Sequence, residues 1–278
     1  MDLLVSTKWL EAELGAPDLR ILDVTWFLEP GHDAKGDYQA AHIPGAAFMD
    51  LDEFADEATD LPNMLPTAAK FADLMGALGV GDEDRIVVYD NSPHHTAARG
   101  WWMLTTFGAR NVAILDGGMG KWKAEGRPLE SGMPSPVARN FSAHLNAANV
   151  RQLGQVRDNL ANNGEQMVDA RSAKRFAGEG TEPRAGLASG HIPGSRNLPH
   201  GHLFNADDTW KTGDALRREF DAIGIDPDQP VMTTCGSGVT ACVLSFGLAL
   251  LGKHAPVYDG SWSEWGADPS TPKATGST

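Results

Sequence analysis

The sequence of 278 residues predicts an α/β protein of two tandem domains, each with a mainly parallel sheet flanked by helices. Two observations lead to this fold class. Short apolar runs alternate with amphipathic segments, an order that is typical of strands connected by helices in a parallel sheet. Three groups of residues also recur in the second half of the chain, in the same order as in the first half.

The recurring groups keep nearly constant spacing. They are His42-Ile43-Pro44-Gly45 with His191-Ile192-Pro193-Gly194, Leu115-Asp116-Gly117-Gly118 with Tyr258-Asp259-Gly260-Ser261, and Leu22-Asp23 with Val168-Asp169. Their offsets are 149, 143 and 146 residues, which indicates a duplicated domain. Residues 131–140 are rich in Gly, Pro and small polar residues and predict the seam between the copies. We therefore expect an N-terminal domain over residues 1–138 and a C-terminal domain over residues 139–278.

The apolar pattern predicts the individual elements. Residues 85–89 and 112–115 are short apolar runs and indicate buried strands. Residues 67–79 predict a helix, because Thr67 can cap it, its apolar residues share one face and Gly79 can end it. Residues 214–224 repeat this design, and residues 239–251 are apolar nearly all round, which is typical of a buried helix.

Composition excludes several classes of protein. The net charge of −14 argues against a nucleic-acid surface. Two cysteines cannot form a disulfide framework and are typical of a reducing compartment. The first 14 residues carry charges without a long apolar core, and no segment approaches the roughly 20 apolar residues of a membrane span. We therefore expect no secretory signal and a cytoplasmic location.

The most informative segment is Cys235-Gly236-Ser237-Gly238-Val239-Thr240, which lies between an apolar run and an apolar helix. Backbone N–H groups of a glycine-rich turn and the start of a helix favour an anion, so this cysteine is a candidate thiolate nucleophile. The alternative is a small apolar residue in a tight turn, since a cysteine outside a disulfide is commonly buried and inert. Aligning Val231 with Val87 and Thr240 with Thr96 places Asn91 opposite Cys235. Only the second copy is then expected to perform thiolate chemistry.

The tandem repeats, the His-Ile-Pro-Gly turns and the cysteine loop together resemble the rhodanese-type sulfurtransferases, over residues 9–265. Within that family the loop is similar to that of the 3-mercaptopyruvate sulfurtransferases, since the thiosulfate-using members carry basic residues after the cysteine. The resemblance implies two rhodanese-like domains. It also implies that sulfur passes from 3-mercaptopyruvate through a Cys235 persulfide to thioredoxin, a small dithiol or cyanide, without a metal or organic cofactor. Neither nucleic acid nor a membrane is an expected partner.

The same resemblance implies the roles of individual residues. Arg175 and Arg184 would hold the carboxylate and keto oxygen of the donor, and Gly236, Gly238, Val239 and Thr240 would bind through the loop. Ser237 and Asp52 are the candidates for handling the proton. Members of this family usually have a histidine before Met-Leu-Pro, whereas this chain has Asn63 there, so no histidine relay is available at that position.

Three alternatives remain open at this point. A thiosulfate sulfurtransferase is disfavoured by the uncharged loop. A cysteine phosphatase needs an arginine that closes the loop, but Ala241 and Cys242 follow Thr240. A non-catalytic sulfur-binding module would have no need of the cysteine, the glycine-rich loop and two arginines together.

Overall fold

Two five-stranded parallel sheets organise the chain, in a computed structural model that describes residues 1–277. Each sheet belongs to its own compact unit. The first unit contains Met1–Asp56, Leu65–Asn146 and Asn205–Trp210, and the second contains Glu57–Met64, Ala147–Phe204 and the residues from Lys211 onward. The division of the sequence between residues 138 and 139 stays a prediction.

The first unit alternates strands and helices throughout. Its elements are β1 (Leu4–Val5), α1 (Thr7–Glu13), β2 (Leu19–Asp23), α2 (Ala34–Ala40), β3 (Ala46–Phe48), α3 (Ala68–Ala77), β4 (Arg85–Tyr89), α4 (Ala97–Thr106), β5 (Asn111–Leu115) and α5 (Gly118–Ala124). The sheet order is β1-β5-β4-β2-β3, and all neighbouring strands are parallel.

The second unit repeats this plan. Its elements are β6 (Val150–Arg151), α6 (Leu153–Asn162), β7 (Gln166–Asp169), α7 (Ala173–Ala177), β8 (Arg196–Asn197), α8 (Gly213–Asp221), β9 (Val231–Thr234), α9 (Ala241–Leu250), β10 (Val257–Tyr258) and α10 (Ser261–Trp265), with 3₁₀ turns at Ala147–Asn149 and His200–Leu203. The parallel sheet has the order β6-β10-β9-β7-β8, which matches the first sheet strand for strand. The predicted fold class and the duplication are confirmed.

Local sequence explains the central elements. Strands β4 and β9 are buried almost throughout, as strands of a parallel sheet covered on both faces require. Helix α3 begins after Thr67, whose side chain accepts the Lys70 N–H at 3.2 Å, and ends before Gly79 at φ +76°. Helix α9 is buried from its first residue to Leu248, as its apolar sequence predicts.

The two histidines that begin the repeated turns have structural roles. His42 and His191 are each 1% exposed. In each, Nδ1 lies 2.8 Å from a backbone oxygen, that of Tyr38 or Phe176, and the imidazole stacks on the ring of the same residue. Because both units keep this arrangement, the histidines hold the turns in place in each copy.

Candidate active site

The loop from Cys235 to Thr240 connects the carboxyl end of β9 to the start of α9. This is the edge at which parallel α/β sheets bind their ligands. Cys235 is 2% exposed, and its carbonyl oxygen accepts the Trp262 N–H at 3.0 Å. The carbonyl oxygen of Gly236 accepts both the N–H of Ser263, at 2.8 Å, and its hydroxyl, at 2.7 Å. The start of α10 therefore holds the first two residues of the loop.

Ser261 shapes the loop from beneath. Its Oγ donates to the carbonyl oxygen of Tyr258 at 2.7 Å, and accepts the N–H groups of Cys235 at 3.2 Å and Gly238 at 3.1 Å. It does so from a left-handed conformation, φ +49°, which is unfavourable for a residue other than glycine. The first unit has Gly118, at φ +53°, in the equivalent place. Sequence reasoning missed Ser261, although it is the position at which the repeated Asp-Gly-Gly and Asp-Gly-Ser turns differ.

The remaining loop amides are available for an anion. Among residues 1–277, the N–H groups of Gly236, Ser237, Val239 and Thr240 make no hydrogen bond to the protein. The Gly238 N–H is already used by Ser261, and Gly238 itself adopts φ +78°, which the turn requires. Uncompensated N–H groups next to a helix start favour negative charge, and Cys235 lies among them.

The sheet register corrects the alignment of the two loops. Tyr89 pairs with Asp23 in the first sheet, and Thr234 pairs with Asp169 in the second, so Asp90 rather than Asn91 corresponds to Cys235. A second contact agrees, since Asp90 O accepts the Met119 N–H of α5 at 3.0 Å, just as Cys235 O accepts the Trp262 N–H of α10. The prediction of Asn91 was wrong because the first loop is one residue longer before its helix.

Asp90 supplies the first loop with its own carboxylate. The two carboxylate oxygens accept the N–H groups of Ser92 and Ala97, each at 2.8 Å. Burial of the carboxyl group raises the pKa of Asp90 to about 7, although the residue as a whole keeps some exposure. In the first loop a carboxylate thus occupies backbone N–H groups, and the first unit has no thiol at this position.

A buried charge cluster lies behind the second loop. Arg171 is 2% exposed and forms ion pairs with Asp169, at 2.7 Å, and Glu182, at 3.0 Å. Its guanidinium also lies 4.5 Å from the ring centre of Trp262. Burial lowers the pKa of Arg171, but the charges of Asp169, Glu182 and Cys235 outweigh this effect and raise it. The Arg171 guanidinium therefore stays charged near Cys235, paired with two carboxylates.

Sequence reasoning missed Arg171 and Glu182. Arg171 could have been found as the residue two positions after the repeated Asp169, where the first copy has Thr25 after Asp23. Nothing in the local sequence indicates that Glu182 pairs with it, since the contact joins a strand end to a loop.

Arg175 was predicted from the sequence, and the structure places it at the loop. Its guanidinium pairs with Glu182, with Nη2 at 2.7 Å from Oε2. A Cβ atom added to Gly236 would lie only 2.8 Å from Nη2, so the guanidinium lies directly against the residue after Cys235. The glycine at this position gives Arg175 the room to approach the loop.

Ser237 meets Asn63, the residue before Met64-Leu65-Pro66. Asn63 Nδ2 donates to Ser237 Oγ at 3.0 Å, and the two residues are 8% and 6% exposed. Asn63 belongs to the Glu57–Met64 segment, which forms part of the second unit. This contact between residues 174 positions apart could not be read from the sequence.

The two remaining predicted site residues, Arg184 and Asp52, belong to different units. Arg184 lies in the loop after Glu182 in the second unit and is partly buried. Asp52 lies in the first unit, is exposed, and accepts the indole N–H of Trp26 at 2.9 Å. The assignment of both residues to the reaction stays a prediction.

Residues 1–277 contain no group of three or more His, Cys, Asp or Glu side chains that could hold a metal ion. No helix in this part of the chain is long and apolar enough to cross a membrane.

A family model for the rhodanese-like domain matches residues 6–125 and 152–268. The chain belongs to the rhodanese family. Its similarity to curated members covers nearly all of its length. The chain is 41% identical to thiosulfate/3-mercaptopyruvate sulfurtransferase 1, mitochondrial, of Arabidopsis thaliana, over 96% of this chain and 77% of that protein. It is 40% identical to human 3-mercaptopyruvate sulfurtransferase, over 94% of this chain and 91% of that protein.

A solved rhodanese structure gives the same result. The crystal structure of SseA, a 3-mercaptopyruvate sulfotransferase from Escherichia coli, matches with a TM-score of 0.86 and 36% identity. The match covers 95% of this chain and all of that one. Within this rhodanese-family protein both cysteines, Cys235 and Cys242, lie in the second unit, and Asp90 occupies the corresponding loop position of the first.

Proposed function

We propose that the protein is a 3-mercaptopyruvate sulfurtransferase, which carries sulfur on Cys235 and releases pyruvate. One observation carries the proposal: Cys235 lies in a loop whose amides at Gly236, Ser237, Val239 and Thr240 have no acceptor among residues 1–277, with the Arg175 guanidinium against that loop. Such a loop favours an anionic sulfur, and the guanidinium suits a donor that carries a carboxylate. Relatives at about 40% identity that are named for this activity support the assignment.

The first half-reaction loads the cysteine. The Cys235 thiolate attacks the sulfur of 3-mercaptopyruvate, the new S–S bond forms, and the bond between that sulfur and C3 breaks. The electron pair moves to C3 and the keto group as an enolate, and the proton of the substrate thiol ends on C3 to give pyruvate. The persulfide on Cys235 is left anionic. Loop amides stabilise that charge as preorganised donors, without reorganisation during the reaction.

Positive charge near the loop orients the donor. We assign Arg175, with Arg184, to the carboxylate and keto oxygen of 3-mercaptopyruvate. Glu182 lies 2.7 Å from the Arg175 guanidinium, so the guanidinium is held in position before the substrate binds. The proposed role of Ser237 is a hydrogen bond to the keto oxygen as it gains charge, and Asp52 is assigned to proton handling.

The second half-reaction empties the cysteine. A thiolate of the acceptor attacks the outer sulfur of the persulfide, and Cys235 leaves as the thiolate with which the cycle began. Thioredoxin, a small dithiol or cyanide each fits this chemistry. We also propose a cytoplasmic location, while one relative is named as mitochondrial.

Sulfur transfer to a dithiol tests the proposal, with 3-mercaptopyruvate and thiosulfate as rival donors. Thiosulfate is included because the names of several relatives at about 40% identity contain it. We expect the parent protein to prefer 3-mercaptopyruvate. The Cys235→Ser variant should transfer no sulfur, and its mass should not increase by one sulfur atom when it is incubated with the donor. Activity retained by Cys235→Ser, or a preference for thiosulfate, would contradict the assignment.

A matched pair of arginine variants tests donor binding. Arg175→Met is expected to lower kcat/KM for 3-mercaptopyruvate by about 10- to 100-fold, since a charged hydrogen bond contributes about 1.5–3 kcal/mol. Arg151→Met is the control, because Arg151 forms a similar two-pronged pair with Glu165 in the same unit and has no assigned role at the loop. Equal losses of kcat/KM in both variants would contradict the assignment of Arg175 to donor binding.

A further inference from the structure

Each unit contains a short segment contributed by the other sequence repeat. Glu57–Met64 comes from the first repeat and belongs to the second unit, and Asn205–Trp210 comes from the second repeat and belongs to the first. The two segments occupy equivalent places in the repeats, since each precedes the threonine, Thr67 or Thr212, that comes just before α3 or α8. The exchange is therefore part of the duplicated design.

Both segments carry one non-glycine residue in the left-handed region. These are Asn63 and Asp208, each at φ +59° and each four residues before its threonine. The charge of Asp208 contributes to the raised pKa of Asp90, so this position lies within electrostatic range of the loop in the first unit. In the second unit Asn63 reaches Ser237 of the cysteine loop. The same left-handed position is thus occupied by an acid in the first unit and by an amide in the second, and the amide contacts the cysteine loop.

The chemistry of an amide decides what this contact does. The Nδ2 group of Asn63 donates to Ser237 Oγ, so the oxygen of the hydroxyl is used as acceptor and its proton is directed elsewhere. An amide also does not titrate between about pH 5 and pH 8, the range in which a histidine changes charge. The contact therefore keeps the same polarity throughout that range.

We propose that Asn63 is a positioning residue that holds the Ser237 hydroxyl as a hydrogen-bond donor to the keto oxygen of the sulfur donor, independently of pH. This inference rests on the proposed function. As the bond from C3 to sulfur breaks and negative charge builds on that oxygen, the directed hydroxyl stabilises it. Asn63 itself touches neither the substrate nor Cys235 in this scheme.

Three variants test the proposal with 3-mercaptopyruvate and a dithiol. Asn63→Gly removes the amide but suits φ +59°, and we expect kcat to fall about tenfold with KM within about threefold, as for one lost hydrogen bond in the transition state. The same change in a Ser237→Ala background should have almost no further effect, because the two residues act as one unit. In Asn63→His the pH profile of kcat should show a titration near pH 6.5 that the profile of the parent does not show.

Asn163→Gly is the matched control. Asn163 ends α6 in the same unit, is exposed and is also left-handed, at φ +51°, so the control repeats the chemical change outside the site. We expect its kcat to equal that of the parent. Additive losses from Asn63→Gly and Ser237→Ala, or a profile of Asn63→His that matches the parent, would overturn the inference and leave the proposed function standing. A parent protein without activity on 3-mercaptopyruvate would overturn both.

Discussion

Replacing Arg171 with methionine is expected to make the second unit open far more readily. The side chain is 1% exposed, and its guanidinium reaches Asp169 at 2.7 Å, Glu182 at 3.0 Å and the Gly190 carbonyl oxygen at 2.8 Å. Methionine fills part of the volume but carries neither the charge nor the donors. The carboxylates stay behind in a site from which water is largely excluded.

The magnitude follows from the burial of those partners. Asp169 is 1% exposed and keeps no other guanidinium, whereas Glu182, at 5%, keeps its contact with Arg175. Removing one member of a buried ion pair typically costs about 3–5 kcal/mol, because the other charge is left uncompensated. The population of the opened unit should therefore rise between about 10²- and 10⁴-fold.

Alkylation of Cys242 measures this opening directly. Cys242 is fully buried on α9 in the same unit, and in a Cys235→Ser background it is the single thiol of the chain. Its labelling rate under native conditions reports the population of opened second units, so two-state unfolding of the whole chain is not required.

Arg217→Met supplies the control for the same assay. Arg217 pairs with Asp228 at 2.6 Å, but both side chains are more than a third exposed, so labelling should stay within about threefold of the parent. Labelling of Arg171→Met within that same range would refute the view that Arg171 compensates buried charge.

Three further predictions concern the loops. Ser261→Gly suits the left-handed backbone but removes the acceptor of two loop amides, so kcat should fall about tenfold with little change in thermal stability. Asp90 has a native pKa near 7, above its unfolded value of 3.8, so the native state retains a proton that the unfolded state loses, and its contribution to stability falls as pH rises from about 4 to 7. Asp90→Asn should remove up to about 4 kcal/mol of this dependence, measured by unfolding at several pH values. Gly236→Ala should raise KM for 3-mercaptopyruvate about five- to tenfold with kcat nearly unchanged, because the new Cβ displaces the Arg175 guanidinium.

Each of these has a contradicting result. An unchanged kcat for Ser261→Gly would show that the loop keeps its shape without that hydroxyl. A pH dependence of stability that is identical in Asp90→Asn and the parent would place the titration on another group. A loss confined to kcat in Gly236→Ala would separate Arg175 from donor binding.

Much of the fold could be predicted because its signals are local or periodic. The helix over residues 67–79 has its cap, its apolar face and its terminating glycine within the segment itself, and the structure has α3 there. The duplication was also visible, because repeated turns such as those at His42 and His191 keep their sequence where buried geometry demands it.

The comparison of the two loops shows where sequence patterns stop being sufficient. Helix starts at Thr96 and Thr240 align correctly, but strand ends align only through the sheet, where Tyr89 and Thr234 have equivalent partners. An extra residue in a loop leaves no trace in apolar periodicity. The position of Asp90 opposite Cys235 therefore required the strand register.

The sequence by itself determined the duplicated α/β plan and the presence of the cysteine loop in the second copy alone, since these depend on residues that lie side by side in the chain. Tertiary structure decided which distant groups meet that loop: Ser261 beneath it, the Arg171 and Glu182 charges behind it, and Asn63 against Ser237. Those contacts arise from the way strand ends converge at one edge of the sheet and from the exchanged segment. Neither the direction of a side chain nor its partner across such a distance is encoded in local composition or spacing.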